Sequence, residues 1–228
     1  MNMEALPKSR VLVLVGNYGS GKTEISLNLA LKMAARGEQV TLVDLDIVNL
    51  YFRSSERTEL LQEHGIKVYA PSFAMTTVDV PSLPADIQAV FADKSRRVIF
   101  DVGGDDTGAA ALGRYKPYFD QDDVTVLFVV NAFRPLSGEA DAVCDLIERV
   151  AARSRLKPAC LVNNANVAWE TQKEDLDRGE ALLKEVSARL GIPVGYLCAK
   201  EDIMAQLPDT LSGERITIEI LMRPDWME

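Results

Sequence analysis

Short runs rich in apolar residues alternate along the chain with segments whose apolar residues recur every three or four positions. The runs cover 11–15, 39–44, 66–70, 97–102, 123–131, 159–164 and 194–198. Runs of this length predict strands, and the segments between most of them predict helices. Strands that alternate with helices are typical of a mainly parallel sheet with helices on both faces. The pattern therefore predicts an α/β fold.

Two predicted helices show the spacing most clearly. One follows Pro135 and the other covers about 173–190. The first places five apolar residues on one face, as expected for packing on a sheet: Ala140, Val143, Leu146, Ile147 and Val150. The tail from Arg215 to Met222 follows neither period well, so its structure is left open.

The first apolar run leads directly into Gly16-Asn-Tyr-Gly-Ser-Gly-Lys-Thr23 and then into a predicted helix that extends through Ala35. This sequence matches G-x-x-x-x-G-K-[ST], the phosphate-binding loop, in its strand-to-helix context. The glycines let successive backbone N–H groups point at phosphate oxygens, and the start of the helix adds its own donors. A loop of this kind predicts a nucleotide-phosphate site formed by Gly16, Asn17, Tyr18, Gly19, Ser20, Gly21, Lys22 and Thr23.

Within this loop Lys22 can bridge the β- and γ-phosphates, and the hydroxyl of Thr23 can ligate Mg²⁺. Asp101 ends a later apolar strand and is followed three residues on by Gly104. A carboxylate there can hold Mg²⁺ through water, and the glycine N–H can reach a γ-phosphate. An ordinary strand followed by a turn is the alternative interpretation. We predict Thr23 and Asp101 as metal ligands, and Lys22 and Asp101 as catalytic residues.

Two more carboxylates, Asp44 and Asp46, close the second strand. In a parallel sheet they lie at the same carboxyl edge as the phosphate loop, where they can position a water or a metal ion. A solvated strand end is the alternative. We predict that Asp44 contributes to the metal site and that Asp46 is catalytic.

The end of the strand at 159–164 carries Asn163 and Asn164. Guanine-specific sites usually pair the base with a carboxylate, and none occurs in 163–166. Asparagine amides can pair with the N6/N1 edge of adenine. These residues are predicted to bind the base, and they favour ATP over GTP.

Together these motifs resemble the MinD/ParA-like group of P-loop ATPases, which also includes nitrogenase iron proteins and the CobQ/CobB and dethiobiotin synthetase relatives. The resemblance rests on the phosphate loop, Leu42-Val-Asp-Leu-Asp46, Asp101-Val-Gly-Gly104 and the Asn163-Asn164 strand end. It implies a P-loop NTPase domain in which Asp46 helps to position the attacking water. It also implies that Asp101 is the Walker B carboxylate and that Asn163 or Asn164 contacts adenine.

The chain departs from this family inside the phosphate loop. The family usually has G-K-G-G-x-G-K-[ST], in which a second lysine reaches across a nucleotide-sandwich dimer. Here that position is Asn17, and Tyr18 replaces a glycine. Asparagine has no charge to offer to a neighbour's γ-phosphate. We therefore expect slow hydrolysis that depends little on protein concentration, and a homodimer stays open.

Composition narrows the function classes. The 228 residues, at 25.1 kDa, fit one P-loop domain over 1–228. A net charge of −9 argues against non-specific binding to nucleic acid or acidic lipid. No apolar run is long enough to cross a bilayer, and three dispersed cysteines fit a reducing cytoplasm. Trp169 and Trp226 are isolated, which is more typical of packing or interface residues than of stacking platforms.

Three functions stay open. The first is a slow Mg²⁺-dependent ATPase that switches conformation to regulate a partner protein. The second is an ATP-dependent ligase or kinase of the dethiobiotin synthetase type, and the third is a non-catalytic nucleotide sensor. The absence of a second domain favours the first, because a ligase needs dedicated substrate-binding insertions.

Overall fold

The computed structural model describes residues 6–46, 58–69, 87–104 and 106–222. Residues 47–57, the proline-containing segment from Pro71 to Pro84 and Trp226 lie outside these residues. Within the described part of the chain, no helix is long and apolar enough to cross a membrane.

Eight strands form one sheet in the order β3-β2-β4-β1-β5-β6-β7-β8, and every neighbouring pair is parallel. The predicted parallel α/β fold is therefore confirmed. The strands are β1 (Val11–Gly16), β2 (Val40–Leu45), β3 (Lys67–Tyr69), β4 (Arg97–Val102), β5 (Val124–Val130), β6 (Cys160–Asn163), β7 (Val194–Ala199) and β8 (Glu214–Thr217).

Eight α-helices are described between and after these strands. They are α1 (Lys22–Ala35), α2 (Thr58–Glu63), α3 (Ile87–Ala92), α4 (Asp106–Gly113), α5 (Lys116–Phe119), α6 (Ala140–Ser154), α7 (Lys173–Leu190) and α8 (Glu201–Met204). A single 3₁₀ turn covers Ala168–Glu170. The longest helix has the predicted bounds, and all five predicted contact residues of α6 are buried.

The two faces of β1 supply two separate hydrophobic cores. Leu12 and Leu14 belong to the core that α1 covers, whereas Val13 and Val15 belong to the core shared by α4, α6 and α7. Because side chains alternate across a strand, an unbroken apolar run fills both cores at once. The helices therefore lie on both faces, as the sequence predicted.

The tail that the sequence left open is resolved as an edge strand. β8 pairs in parallel with β7, and residues 218–222 then cross to α1. Glu219 and Asn28 exchange hydrogen bonds of 2.8 Å and 2.9 Å. The carboxylate of Glu24, in the first turn of α1, accepts from the backbone N–H of Leu221. Polar side chains of α1 therefore hold this tail through hydrogen bonds to its backbone. The period of apolar residues in the sequence does not reveal such hydrogen bonds.

The strand order reverses around β1, which lies between β4 and β5. In open parallel sheets the crevice outside the carboxyl ends of the strands at such a reversal is the usual place for a ligand. The carboxyl ends of β1, β2, β4 and β5 meet there. The predicted site residues lie at this edge.

Candidate functional site

The phosphate loop connects β1 directly to α1, and Gly21 is the N-cap residue of that helix. Gly21 has a φ of 92°, and no side chain caps the helix. The first N–H groups of a helix lack partners within it and, together with the helix dipole, attract an anion. A side chain at Gly21 would overlap the amide nitrogen of Asn164. Both the left-handed backbone and the close approach therefore require glycine here.

Asn164 braces the loop from β6. Its Nδ2 donates to the Ser20 carbonyl at 2.7 Å, and both residues are buried. Its Oδ1 is buried as well and accepts no hydrogen bond from the described residues. The side chain thus holds the phosphate loop with one end and presents an acceptor with the other.

Lys22 and Asp101 are brought together under the loop. Lys22 is buried, and its Nζ donates to the carbonyl of Asn17 at 2.9 Å. Asp101, at the end of β4, is buried too. Burial raises the pKa of Asp101 to about 6, with Asp46 adding to the rise, while Thr23 and the charge of Lys22 oppose it. These four side chains therefore form one electrostatic cluster.

Asp101 is a buried carboxylate that the fold does not satisfy. From the described residues, neither of its oxygens accepts a hydrogen bond of ordinary geometry, although the Thr23 hydroxyl lies close enough to lower its pKa. A buried carboxylate of this kind costs free energy unless a cation or its waters complete it. Hard oxygen donors from one or two carboxylates and a hydroxyl suit Mg²⁺, which keeps several waters and phosphate oxygens. The residues present fit that ion.

Asp44, in β2, and Asp46, directly after it, lie beside this pair. Asp44 lies opposite Asp101 in the parallel ladder, and its Oδ1 accepts from the backbone N–H of Asp46 at 2.9 Å. Both residues are buried. Among the described residues, no three His, Cys, Asp or Glu side chains converge closely enough to hold a metal ion alone. A metal ion here would depend on Thr23, water and phosphate as much as on carboxylates.

Gly104 packs against the phosphate loop itself. A Cβ on Gly104 would lie 2.5 Å from the backbone nitrogen of Tyr18. The Asp101-Val-Gly-Gly104 segment and the Asn17-Tyr18 segment are therefore in direct backbone contact. A shift in one segment has to displace the other, since neither contains room for adjustment.

Asn17 has a different role from the lysine it replaces. Its Nδ2 donates to the carbonyl of Pro135 at 2.7 Å and to Ser137 Oγ at 2.9 Å, and its Oδ1 accepts from the N–H of Tyr18. The side chain therefore ties the loop to the segment after β5. This side chain carries no charge, and both its amide nitrogen and its amide oxygen already form hydrogen bonds within the chain.

Arg134 was missed by the sequence analysis. Its Nε donates to the carbonyl of Gly19 at 2.9 Å, and its side chain lies against the Cα of that glycine. A single arginine after a strand matches no motif. The only available signal was its position at the end of the most apolar strand, which the sheet order places beside β1.

Asn163 lies apart from the others. It is fully buried, its Nδ2 donates to the carbonyl of Leu176 in α7 at 3.0 Å, and its Oδ1 accepts from Ala165. Its oxygen also faces Gly179, where any side chain would overlap it. This amide joins β6 to α7. The prediction of a contact with the base is therefore kept for Asn164 and not for Asn163.

An open groove of about 1170 Å³ lies at the carboxyl ends of β7 and β8, beside the last turn of α1. Its lining includes Trp169 after β6, Lys200 after β7, Thr217 at the end of β8, and Lys32. Lys32 is ten residues beyond Lys22, which corresponds to about 15 Å along a helix. Trp169 is 58% exposed and lines the groove, which argues against the packing role and leaves the interface role that the sequence also suggested.

Comparison with known proteins identifies related sequences and folds. Residues 11–204 match the family model described as the CobQ/CobB/MinD/ParA nucleotide binding domain. No curated protein matches the chain.

Several solved structures share the fold. The cell division protein ftsY of Thermotoga maritima has 18% identity and a TM-score of 0.54, covering 85% of this chain and 63% of that one. Chloroplast FtsY of Physcomitrella patens has 17% identity and a TM-score of 0.56, with coverages of 86% and 60%. FtsY of Elizabethkingia anophelis, in complex with GDP, has 16% identity and a TM-score of 0.51, with coverages of 86% and 58%. The chain thus spans less than two thirds of these proteins, and at this identity the likeness shows the fold alone.

Proposed function

The chain belongs to the CobQ/CobB/MinD/ParA nucleotide-binding family, and on that premise we propose that it is a slow Mg²⁺-dependent ATPase that acts as a nucleotide-controlled switch for a partner protein. The observation that carries this proposal is the buried, unsatisfied carboxylate of Asp101 beside Thr23 and Lys22. A fold tolerates such a group only when binding compensates for it.

The chain's own residues suit phosphate transfer to water. Lys22 is placed to hold the β- and γ-phosphates, and Thr23 with Asp101 to hold Mg²⁺ and its waters. Mg²⁺, when bound, neutralises charge that develops on the phosphate oxygens. Asp46, buried at the end of β2, is placed to orient a water, and Asp44 supports it through the bond to its N–H.

Adenine is proposed as the base because of the free acceptor on Asn164. Its Nδ2 is committed to Ser20, so Oδ1 is the atom left to accept a hydrogen bond from a ligand. The 6-amino group of adenine can donate to this oxygen, whereas guanine has the acceptor O6 at the same ring position. Guanine has donors of its own in N1–H and the 2-amino group, and these usually pair with a carboxylate. Residues 163–167 contain no carboxylate for the N1–H and amino group of guanine. The GDP complex of the Elizabethkingia protein concerns a relative in fold and does not alter this chemistry.

A switch is proposed because the catalytic loop touches an exposed surface. Gly104, predicted to contact the γ-phosphate, packs on the backbone of Tyr18, and the Tyr18 side chain is 62% exposed. Loss of a phosphate from one side of this contact would therefore change the surface on the other side. A partner protein that binds Tyr18 would sense the nucleotide.

We also propose a cytoplasmic location. None of the three cysteines, which all lie in the described part of the chain, forms a disulfide, and Cys160 and Cys198 are buried. Burial raises the pKa of Cys160 to about 11, which keeps this thiol protonated near neutral pH. Reduced thiols of this kind fit a reducing compartment.

Calorimetry with ATP and Mg²⁺ tests the proposal. The native protein is expected to bind ATP, Lys22→Ala is expected to lose binding, and Lys173→Ala, which removes an exposed lysine from α7, is the matched control. Unchanged affinity in Lys22→Ala would contradict the phosphate assignment. GTP that competes more strongly than ATP would reverse the choice of base.

The groove supports a second candidate, an ATP-dependent ligase or kinase. Its volume leaves room for a small substrate, and its lining combines Lys32 and Lys200 with the carboxylates of Glu201, Asp202 and Glu219. ADP release that requires an added carboxylic acid would favour this candidate. Tight ATP binding without any ADP release would favour a sensor.

A further inference from the structure

The phosphate loop needs more positive charge than its own lysine provides. Lys22 shares its surroundings with Asp101 and Asp46, and its charge already acts on the Asp101 carboxylate. Asn17 brings no charge to the position where relatives have a lysine. A Mg²⁺–nucleoside triphosphate therefore adds net negative charge to a site whose single loop cation is largely balanced by carboxylates.

A second cation reaches the loop from outside it. Arg134 follows β5, and its Nε donates to the Gly19 carbonyl at 2.9 Å. A Cβ built on Gly19 would lie 3.1 Å from Nε and 3.5 Å from the guanidinium carbon of Arg134. The guanidinium thus lies directly against the backbone that is predicted to surround the phosphates.

The segment that carries Arg134 is held firmly in place. The backbone N–H of Arg134 donates to the Asn131 carbonyl, and Ser137 N–H donates to the Arg134 carbonyl at 3.0 Å. Asn17 bonds the same segment at Pro135 and Ser137. The ring of Phe133, the residue directly before Arg134, is covered by the guanidinium of Arg178, whose carbon lies 4.8 Å from the ring centroid. Such anchoring fixes the arginine before any ligand binds, which lowers the entropy cost of using it.

The remaining donors of Arg134 are available. Within 6–46, 58–69, 87–104 and 106–222, the side chain of Arg134 donates only to Gly19, and no carboxylate forms an ion pair with it. A guanidinium has five N–H donors in a planar fork that fits phosphate oxygens. One donor therefore fixes its position on the loop, and the two terminal nitrogens stay free to bind a ligand.

We propose that Arg134 is a phosphate-binding residue that supplies from within the same chain the charge that Asn17 lacks. Asn17 contributes to this arrangement, because its amide holds the arginine segment against the loop. The proposal rests on the proposed function, since it requires that phosphates occupy this loop. It names a residue outside every motif of the sequence.

Charge and nucleotide length together test this role. Affinities for ATP, ADP and AMP in the presence of Mg²⁺ are measured by calorimetry for the native protein, Arg134→Gln and Arg134→Lys. Arg134→Gln keeps much of the side-chain length but loses the charge, and is expected to weaken ATP binding about tenfold. The loss is expected to be smaller for ADP and absent for AMP. Arg134→Lys is expected to recover part of the affinity for ATP. Arg149→Gln, at an exposed position of α6, is the control and is expected to leave all three affinities unchanged.

Other outcomes overturn the proposal. Equal losses for all three nucleotides, or equal losses in Arg134→Gln and Arg134→Lys, would show that the arginine only braces the loop. Native affinity in Arg134→Gln would show that it does neither. Failure of the proposed function looks different: the native protein would then bind no nucleotide, or would bind it without need of Lys22.

Discussion

The two edges of the sheet, at the amino and the carboxyl ends of the central strands, differ in whether an enclosed carboxylate is paired. At the amino ends of β1 and β5, Arg10 binds both oxygens of Asp122, and Lys94 donates to the same carboxylate at 2.7 Å. Arg10 also donates to the Arg96 carbonyl at 3.0 Å, at the amino end of β4. At the carboxyl ends, Asp101 is buried and accepts no hydrogen bond of ordinary geometry from the part of the chain that the structure describes.

The difference appears in the pKa values of the two carboxyls. Although burial opposes it, hydrogen bonding from Arg10 and Lys94 lowers the pKa of Asp122 to about 2, whereas burial raises the pKa of Asp101 to about 6. A satisfied carboxylate stabilises the folded chain, and an unsatisfied one stores free energy that a cation can release. One edge therefore serves stability and the other serves binding.

The largest expected effect comes from Asp101→Asn. Removing the carboxylate removes a Mg²⁺ ligand, so ATP hydrolysis is expected to fall about a hundredfold, or roughly 3 kcal/mol. Because a buried charge disappears, the nucleotide-free protein is expected to gain free energy of unfolding, on the order of 2 kcal/mol. Steady-state turnover and urea unfolding measure the two quantities.

The amino edge supplies the matched control for this change. Asp122→Asn is expected to leave hydrolysis unchanged. A loss of stability in Asp101→Asn together with a loss of activity would mean that both carboxylates serve the fold, and the contrast between the edges would be false.

A smaller effect, of the opposite sign, is expected from Asp122→Asn on stability. The amide cannot balance the guanidinium of Arg10, whose side chain is only 13% exposed. The shift in the pKa of Asp122 corresponds to a loss of about 2 kcal/mol in the free energy of unfolding. Asp120→Asn, which changes an exposed carboxylate on the same turn, is expected to cost much less.

The same carboxylate predicts part of the acid sensitivity. The pKa of Asp122 is lower in the folded chain than the ordinary value of 3.8. Its stabilisation is therefore complete above about pH 4 and is lost as the pH falls toward 2. Urea unfolding between pH 5 and pH 2 should show a shallower decline for Asp122→Asn than for the native protein. Parallel declines would mean that the Arg10 pair contributes nothing.

The comparison also explains what the sequence could predict. Apolar runs and the phosphate-loop motif predicted the fold and the place of Lys22, because burial period and strand-to-helix context are local properties. Asp101 was predicted from its position at a strand end. Each of these features depends on residues that are close together in the sequence.

Contacts between distant segments could not be predicted in this way. Asn163 and Asn164 are neighbours in sequence, yet one amide binds α7 and the other binds Ser20, because successive side chains at a strand end point to different surroundings. Arg134 and Gly19 are 115 positions apart, and only the pairing of β1 with β5 brings them together. Trp169 belongs to the groove because β7 and β8 extend the sheet beside it.

The smallest expected effect concerns Asn17→Lys, which restores the lysine of the relatives. The change removes the three hydrogen bonds of the Asn17 amide, to Pro135, to Ser137 and from the N–H of Tyr18, so the free energy of unfolding is expected to fall by about 1 kcal/mol or more. Ser137→Ala removes one of these bonds without adding charge and is the control for this loss.

Because Arg134 is proposed to supply the charge already, hydrolysis in Asn17→Lys should change by less than about threefold, or roughly 0.6 kcal/mol. Turnover should also stay independent of protein concentration, both in the native protein and in the variant. A tenfold gain that grows with concentration in Asn17→Lys would show that the missing lysine limits catalysis. A native activity that climbs steeply with concentration and is unmoved by Asn17→Lys would instead point to another residue acting between two chains.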